Sequence, residues 1–127
     1  MRAMQLSPDT RAAIVAALRE AGALFAFLHG SRAQDRARAD SDVDVAAYWG
    51  TRAPAAWDVS LPAGVDLLVL DGAPLELAGR VALHGVLLFD DDPPVRVRWQ
   101  ADTRRIYLDE EDRQRRLDDV YLRRRHG

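Results

Sequence analysis

The sequence predicts a small α/β domain (α+β), in which a mixed sheet of about four strands is flanked by helices. Short apolar runs alternate along the chain with helical patterns, which is the first observation behind this prediction. The second is size, because 127 residues suffice for one buried core. The third is composition, since 48% hydrophobic and 30% charged residues are typical of a globular protein. We therefore expect one domain over residues 1–127.

The first half of the chain carries the signals of a helix and two strands. A helix is predicted over 7–22, because a serine, a proline and an aspartate open it in the order of a capped first turn and a glycine closes it. The apolar run 24–28 predicts a buried strand, and the period-two alternation at the start of 42–48 predicts a second one. The polar segment 32–38 between them is compatible with a short helix.

The second half continues the alternation. Its predicted elements are a connection with one helical turn around Trp57 (50–64), a strand (65–70), a helix capped by Gly85 (74–84) and a strand (86–89). From about residue 93, after two prolines, the remainder is mostly helical and rich in arginine. Six residues of this last segment are candidate core contacts: Val95, Trp99, Ile106, Leu117, Val120 and Tyr121.

Composition excludes several kinds of chemistry. The chain has no cysteine, so disulfides, thiolate zinc sites and cysteine nucleophiles are excluded. All 18 basic residues are arginine, which removes Schiff-base lysines and a Walker-type lysine. No apolar run approaches the roughly 20 residues of a membrane span, and no signal peptide opens the chain. We expect a cytoplasmic location and no membrane partner.

Charge is concentrated near the C-terminus, where residues 104–125 hold eight arginines mixed with acids. A stretch of mixed sign is usually a solvated helix face. The alternative is a docking surface for a partner or for RNA. Both interpretations stay open.

Aspartates in two predicted strands form a candidate metal site. Asp42 and Asp44 are two residues apart, so both side chains leave the same face of a strand. Neighbouring carboxylates repel each other, and a hard cation such as Mg²⁺ between them relieves the repulsion. Asp66 interrupts an apolar strand; if the two strands are neighbours, three carboxylates converge and can hold two ions for phosphoryl transfer. Asp71 competes with Asp66, but strand alternation puts the two on opposite faces, and we favour Asp66.

A candidate phosphate site follows the first predicted strand. Gly30 lets the backbone approach a ligand closely, and the Ser31 hydroxyl and nearby N–H groups can receive phosphate oxygens. Arg32 can add charge-assisted contacts. For His29, directly before the glycine, a packing role at the strand end is favoured over a phosphate contact. A Gly-Ser pair ten residues before Asp-x-Asp arises by chance in about four of a thousand chains of this composition, so coincidence explains it poorly.

This pattern resembles the nucleotidyltransferase superfamily to which DNA polymerase beta belongs. The residues that carry the resemblance are Gly30-Ser31, then ten residues, then Asp42-Val43-Asp44 and the later Val65-Asp66. The short chain and the stretches 73–75 and 85–89 resemble one branch of it, the minimal nucleotidyltransferase (MNT) antitoxins that accompany HEPN-domain ribonuclease toxins. The resemblance covers residues 24–89.

The resemblance implies a nucleotidyltransferase fold and an Mg²⁺-dependent enzyme. Such proteins transfer AMP from ATP to a tyrosine of the partner HEPN toxin and so silence its ribonuclease activity. Carried onto this sequence, Asp42 and Asp44 would ligate both of two Mg²⁺ ions, and Asp66 would ligate the catalytic one and help deprotonate the incoming hydroxyl. Gly30 and Ser31 would hold the triphosphate.

Two other functions remain as alternatives. The chain can be a non-catalytic antitoxin that neutralises the toxin by forming a complex, which the arginine-rich C-terminal segment favours. Transfer to a small molecule such as an antibiotic is less favoured, because the chain offers no second domain to hold that acceptor. Direct binding of nucleic acid is not expected.

Overall fold

The structure of the chain is a computed structural model that describes residues 6–29 and 43–126. In these ranges the helices are α1 (Pro8–Glu20), α2 (Leu75–His84) and α3 (Pro93–His126). The strands are β1 (Phe25–His29), β2 (Val43–Tyr48), β3 (Val65–Val69) and β4 (Val86–Asp90). Short 3₁₀ turns lie at Ala56–Asp58 and Leu70–Gly72. None of the described helices combines the length and the hydropathy that a bilayer crossing requires.

Helix α1 begins and ends at the signals that its sequence carries. The Ser7 side chain accepts a hydrogen bond from the backbone N–H of Thr10 at 3.1 Å, and Pro8 occupies the first turn. After the C-cap residue Ala21, Gly22 turns the chain with φ of 97°. The chain can therefore enter β1 within a few residues of the helix end.

The four strands form one mixed sheet in the order β3-β2-β1-β4. Strand β1 pairs antiparallel with both β2 and β4, whereas β2 and β3 are parallel. Parallel neighbours need a crossover, and the connection 49–64 supplies it, with the predicted single helical turn at Ala56–Asp58. The predicted α/β fold with a four-stranded mixed sheet is confirmed.

Each face of the sheet buries its own apolar cluster. On the first face, Ile14 and Leu18 of α1 pack with strand residues such as Val45. On the second, Phe25 and Phe27 of β1 pack with residues of α2 and with the ring of Trp99 from α3. We call these the α1 face and the α2/α3 face.

Two glycines allow α2 to pack closely. Gly85 is the C-cap of α2, as predicted, but its φ of −66° is open to any residue. Its missing side chain matters for another reason: a Cβ there would lie 2.7 Å from the carbonyl oxygen of Val81 and 3.1 Å from Cβ of Phe27. A Cβ at Gly79 would overlap the ring of Tyr107, which brings α3 directly onto α2.

Helix α3 is only partly packed. Of the six candidate core residues, Val95 and Trp99 pack against the α2/α3 face. The prediction is wrong for the other four, whose exposed fractions lie between 46% and 58%: Ile106, Leu117, Val120 and Tyr121. Helical spacing shows which residues share a face, but not whether another element covers it.

Candidate functional site

One row of neighbours across three strands carries two carboxylates and an imidazole. Asp44 of β2 lies opposite His29 of β1 in the antiparallel pairing and opposite Asp66 of β3 in the parallel pairing. Residues directly opposite each other share a face of the sheet and have Cβ atoms about 5 Å apart. We call His29, Asp44 and Asp66 the acid row.

Strand alternation assigns the acid row to the α2/α3 face. Asp44 lies between Val43 and Val45, both of which belong to the cluster on the α1 face, so its own side chain points the other way. Asp66 lies in the same way between Val65 and Leu67. The row therefore shares its face with the aromatic cluster around Phe25, but lies at the opposite end of the strands.

A tight turn sets the register that brings Asp66 beside Asp44. The backbone N–H of Val65 donates to the carbonyl of Pro62 at 3.2 Å, and Gly64 adopts φ of 83°, a left-handed conformation that favours glycine. The carbonyl of Gly64 then accepts from the N–H of Val43 at 2.8 Å, at the start of β2. This bond starts the parallel ladder one residue before the two aspartates.

The row is partly open to solvent. Asp66 is exposed, whereas Asp44 and His29 are half-buried. Burial lowers the pKa of His29, although the Asp44 charge and a hydrogen bond with the Val45 backbone act in the opposite direction. Burial of the row therefore favours the neutral form of this imidazole.

Two carboxylates opposite each other are a donor set for a hard cation. Like charges in this position destabilise a sheet unless something positive lies between them, and carboxylate oxygens are the protein ligands that Mg²⁺ takes. Within residues 6–29 and 43–126, no three His, Cys, Asp or Glu groups lie close enough to hold a metal ion. The row thus contributes two of the three predicted ligands.

The remaining predicted site residues lie outside the described part of the chain. They are Gly30, Ser31, Arg32 and Asp42. The segment that contains them leaves β1 directly after His29 and returns directly before Val43, so both of its ends adjoin the acid row. Their assignment to phosphate and metal binding stays a prediction.

Asp71, the alternative to Asp66, has a structural role. It lies in the turn after β3, and its carboxylate accepts hydrogen bonds from the backbone N–H groups of Trp49 at 2.9 Å and Gly50 at 2.6 Å. These bonds hold the chain where it leaves β2, at the far end of the sheet from the acid row. Asp71 is therefore placed to stabilise the fold.

Sequence reasoning missed His29 as a member of the row. The residue was assigned to the strand end, which is correct, because it is the last residue of β1. Its position opposite Asp44 follows only from the β1–β2 register, which no local pattern specifies.

A family model described as "Polymerase beta, Nucleotidyltransferase" matches residues 13–94. The chain belongs to this nucleotidyltransferase family. The match includes the whole sheet and α2, and hence every residue of the acid row. The predicted membership of the superfamily is confirmed. No curated protein matches the sequence.

Solved structures of toxin–antitoxin complexes are similar to the chain. A toxin–antitoxin structure with AMP-PNP is 25% identical with a TM-score of 0.70, over 87% of this chain and 97% of that one. An MntA–HepT complex is 22% identical with a TM-score of 0.68, over 90% and 98%. A chain in the structure of a tri-AMPylated Shewanella oneidensis HEPN toxin in complex with MNT antitoxin is 22% identical, with a TM-score of 0.66. The match covers 87% of this chain and 95% of that chain. The last two likenesses concern the fold alone.

Proposed function

We propose that the chain is an Mg²⁺-dependent protein adenylyltransferase that acts as an antitoxin by transferring AMP from ATP to a tyrosine of a HEPN ribonuclease toxin. The observation that carries this proposal is the position of Asp44 opposite Asp66 on one face of the sheet, in a chain of the nucleotidyltransferase family. Two similar structures support it: one holds AMP-PNP, and another contains an AMPylated toxin.

The donor chemistry of the acid row fits a pair of Mg²⁺ ions. Asp44 and Asp66, together with Asp42, would hold them through carboxylate oxygens. When bound, the ions neutralise charge on the phosphates and make the attacking hydroxyl more acidic. Since Asp66 is exposed, an acceptor from outside the chain can reach it.

Some residues of this chain would bind the nucleotide, and another would accept a proton from the acceptor. Gly30, Ser31 and Arg32 would hold the triphosphate and orient its α-phosphorus. The tyrosine oxygen of the toxin forms a bond to that phosphorus, the bond to the β-phosphate oxygen breaks, and pyrophosphate leaves. Asp66 takes up the proton that the tyrosine hydroxyl loses.

The second candidate is a non-catalytic antitoxin that neutralises the toxin by covering it. One specific observation favours it: the C-terminal half of α3 exposes Leu117, Val120 and Tyr121 by about half each. Exposed apolar residues in one patch are typical of protein interfaces. A chain truncated after Leu108 keeps the packed half of α3 and therefore tests whether the rest binds the toxin.

The test is AMP transfer followed by intact mass spectrometry of the toxin. Purified protein, ATP, Mg²⁺ and the HEPN toxin encoded nearest to its gene are incubated, with and without a metal chelator. We expect the toxin to gain AMP only when metal is present, and the variant Asp66→Asn to abolish the gain. Asp58→Asn, an exposed aspartate on the connection 49–64, is the matched control and should transfer normally. A toxin that stays unmodified in a stable complex would favour the second candidate.

A further inference from the structure

Helix α3 changes its environment along its length. With 34 residues it is about 51 Å long. Its first half is held by the fold: the Gln100 amide and the Arg104 guanidinium donate to the carbonyl of Ala82 at 3.0 and 2.7 Å. We call residues 109–126 the distal half. The ion pairs observed there, such as Arg113–Glu110 and Arg116–Asp112, join residues of the helix itself.

The distal half carries a seam with the spacing of a coiled coil. Residues that recur at alternating intervals of three and four share one side of a helix and form the contact line between paired helices. The residues with this spacing are Ile106, Glu110, Arg113, Leu117, Val120 and Arg124. At its centre, Leu117 is 50% exposed and Val120 46%, and Tyr121 beside them is 58% exposed. Within the distal half the seam thus presents apolar surface at its centre, preceded by Glu110 and Arg113 and followed by Arg124.

The charges of the distal half are arranged about Leu117 with opposite signs. The acidic block 109–112 precedes it and the basic block 123–125 follows it at a similar distance. Nearer to Leu117 the order of signs is reversed: three arginines within 113–116 precede it and two aspartates at 118–119 follow it. A helix of this kind complements a copy of itself that runs in the opposite direction. Parallel pairing would instead set each block against its like, which is unfavourable.

We propose that the distal half of α3 is a self-association surface on which a second copy of this chain docks antiparallel. Leu117 then packs against its own equivalent, and Glu110 lies opposite Arg124 of the second copy. Such a contact is isologous, so the pair between Glu110 and Arg124 forms twice. The proposal does not depend on the proposed AMP transfer, since it uses none of the residues of the acid row.

The oligomeric state of the full-length chain tests this surface. We expect sedimentation equilibrium to show a dimer at tens of micromolar protein, about the strength of a small interface. Leu117→Glu should weaken dimerisation by at least about tenfold, because it places a charge at the centre of the seam. Leu108→Glu is the matched control: Leu108 is 47% exposed and lies nine residues from Leu117, about half a turn round the helix. Circular dichroism checks that both variants keep their helices.

A charge exchange tests the antiparallel register. Glu110→Arg and Arg124→Glu should each be monomeric alone, because each sets like charges at both ends of the seam. An equimolar mixture should restore the dimer, since every contact between the two variants then joins opposite charges. The loss in each single variant distinguishes the two directions: in parallel helices Glu110 and Arg124 would already face their own equivalents in the wild type, so neither single variant would add a like-charge contact.

Three outcomes would overturn the proposal. The first is a full-length protein that is monomeric at about 100 μM, too weak for a specific contact. The second is a mixture of the two charge variants that stays monomeric. The third is a monomeric chain whose binding to the HEPN toxin is lost in Leu117→Glu, which would assign the seam to the toxin.

Discussion

The two ends of the sheet both carry aspartates, but they differ in what those aspartates contact. At the end where β2 finishes, three aspartates contact donors. Asp71 accepts hydrogen bonds from the backbone N–H groups of Trp49 and Gly50. Asp90 forms an ion pair with Arg96 at 2.9 Å, and Asp91 forms one with Arg19 at 2.7 Å. We call this the anchored end. At the other end, the acid row places Asp44 opposite Asp66.

The difference separates carboxylates that have matched donors in the fold from carboxylates that the proposed function assigns to metal binding. A carboxylate with a matched donor contributes to stability, whereas two carboxylates opposite each other in a sheet cost stability. Neutralising an aspartate should therefore mainly reduce stability at the anchored end and mainly reduce AMP transfer at the acid row. We therefore expect substitutions at one end of the sheet to change stability and substitutions at the other end to change AMP transfer.

The largest expected effect is on activity at the acid row. Asp44→Asn and Asp66→Asn should each reduce AMP transfer by at least about 100-fold, because each removes a carboxylate of the proposed metal site. Asparagine keeps the shape of the side chain, so the loss of transfer should exceed any change in the free energy of unfolding. Initial transfer rates and urea denaturation check the two halves of this prediction. Normal transfer by either variant would contradict the metal site.

The next effect is on stability at the anchored end. Asp90 is 12% exposed and Arg96 25%, so Asp90→Ala leaves a half-buried guanidinium without that partner. The backbone N–H of Asp92 also loses its bond to Asp90. We expect a loss of about 2 kcal/mol from the free energy of unfolding, measured by urea denaturation. Transfer per folded molecule should be unchanged; a loss of transfer without a loss of stability would contradict the division between the two ends.

A smaller effect is expected at Asp71. Asp71→Ala leaves the N–H groups of Trp49 and Gly50 without their acceptor; the Trp49 bond is partly buried, but the Gly50 bond is exposed and water can replace it. The expected cost is about 1 kcal/mol of unfolding free energy. If Asp71→Ala instead abolished transfer in a fully folded protein, Asp71 would replace Asp66 in the proposed site.

The smallest effect concerns Arg19 and Asp91 and depends on pH. The Arg19 guanidinium holds the pKa of Asp91 below its usual value. The pair therefore contributes stability above the unfolded pKa of an aspartate, near 4, and this contribution is lost as pH falls through the lower folded value. The difference in Tm between the wild type and Asp91→Asn should be small at pH 7, should shrink further in high salt, and should vanish in acid. A difference that grows in acid would contradict the sign.

Most of the fold was predictable because its signals are local. The Ser7 cap predicts the start of α1, and the apolar run 24–28 predicts β1, each from a few neighbouring residues. The single turn around Trp57 is predicted in the same way. The exposure of Ile106 and Leu117 was not predictable, because their spacing is the same whether or not a second helix covers them. Among the described residues, α3 contacts α2 closely at Tyr107, which lies against Gly79, and Leu117 lies ten residues further along the helix.

The candidate site was predictable in its residue types and only conditionally in its geometry. The pairing of Asp44 with Asp66 requires that β2 and β3 be neighbours in one register, and that register arises from contacts 22 residues apart in sequence. The position of His29 opposite Asp44 likewise depends on a register, that of the β1–β2 pairing. Asp71 was separated from Asp66 by its two bonds to the backbone, which no sequence pattern specifies.

The order of the strands also bears on how the chain folds. The acid row uses only β1, β2 and β3, which are contiguous in sequence, whereas β4 pairs with β1 across a much longer loop, from Phe25 to Asp90. Closing that loop costs about 1 kcal/mol more conformational entropy than bringing Asp66 to Asp44. We therefore expect the three-stranded unit to form first, already during synthesis, and β4 to join it in the slower step. The nascent chain would thus assemble its acid row before α3 exists to cover the aromatic cluster.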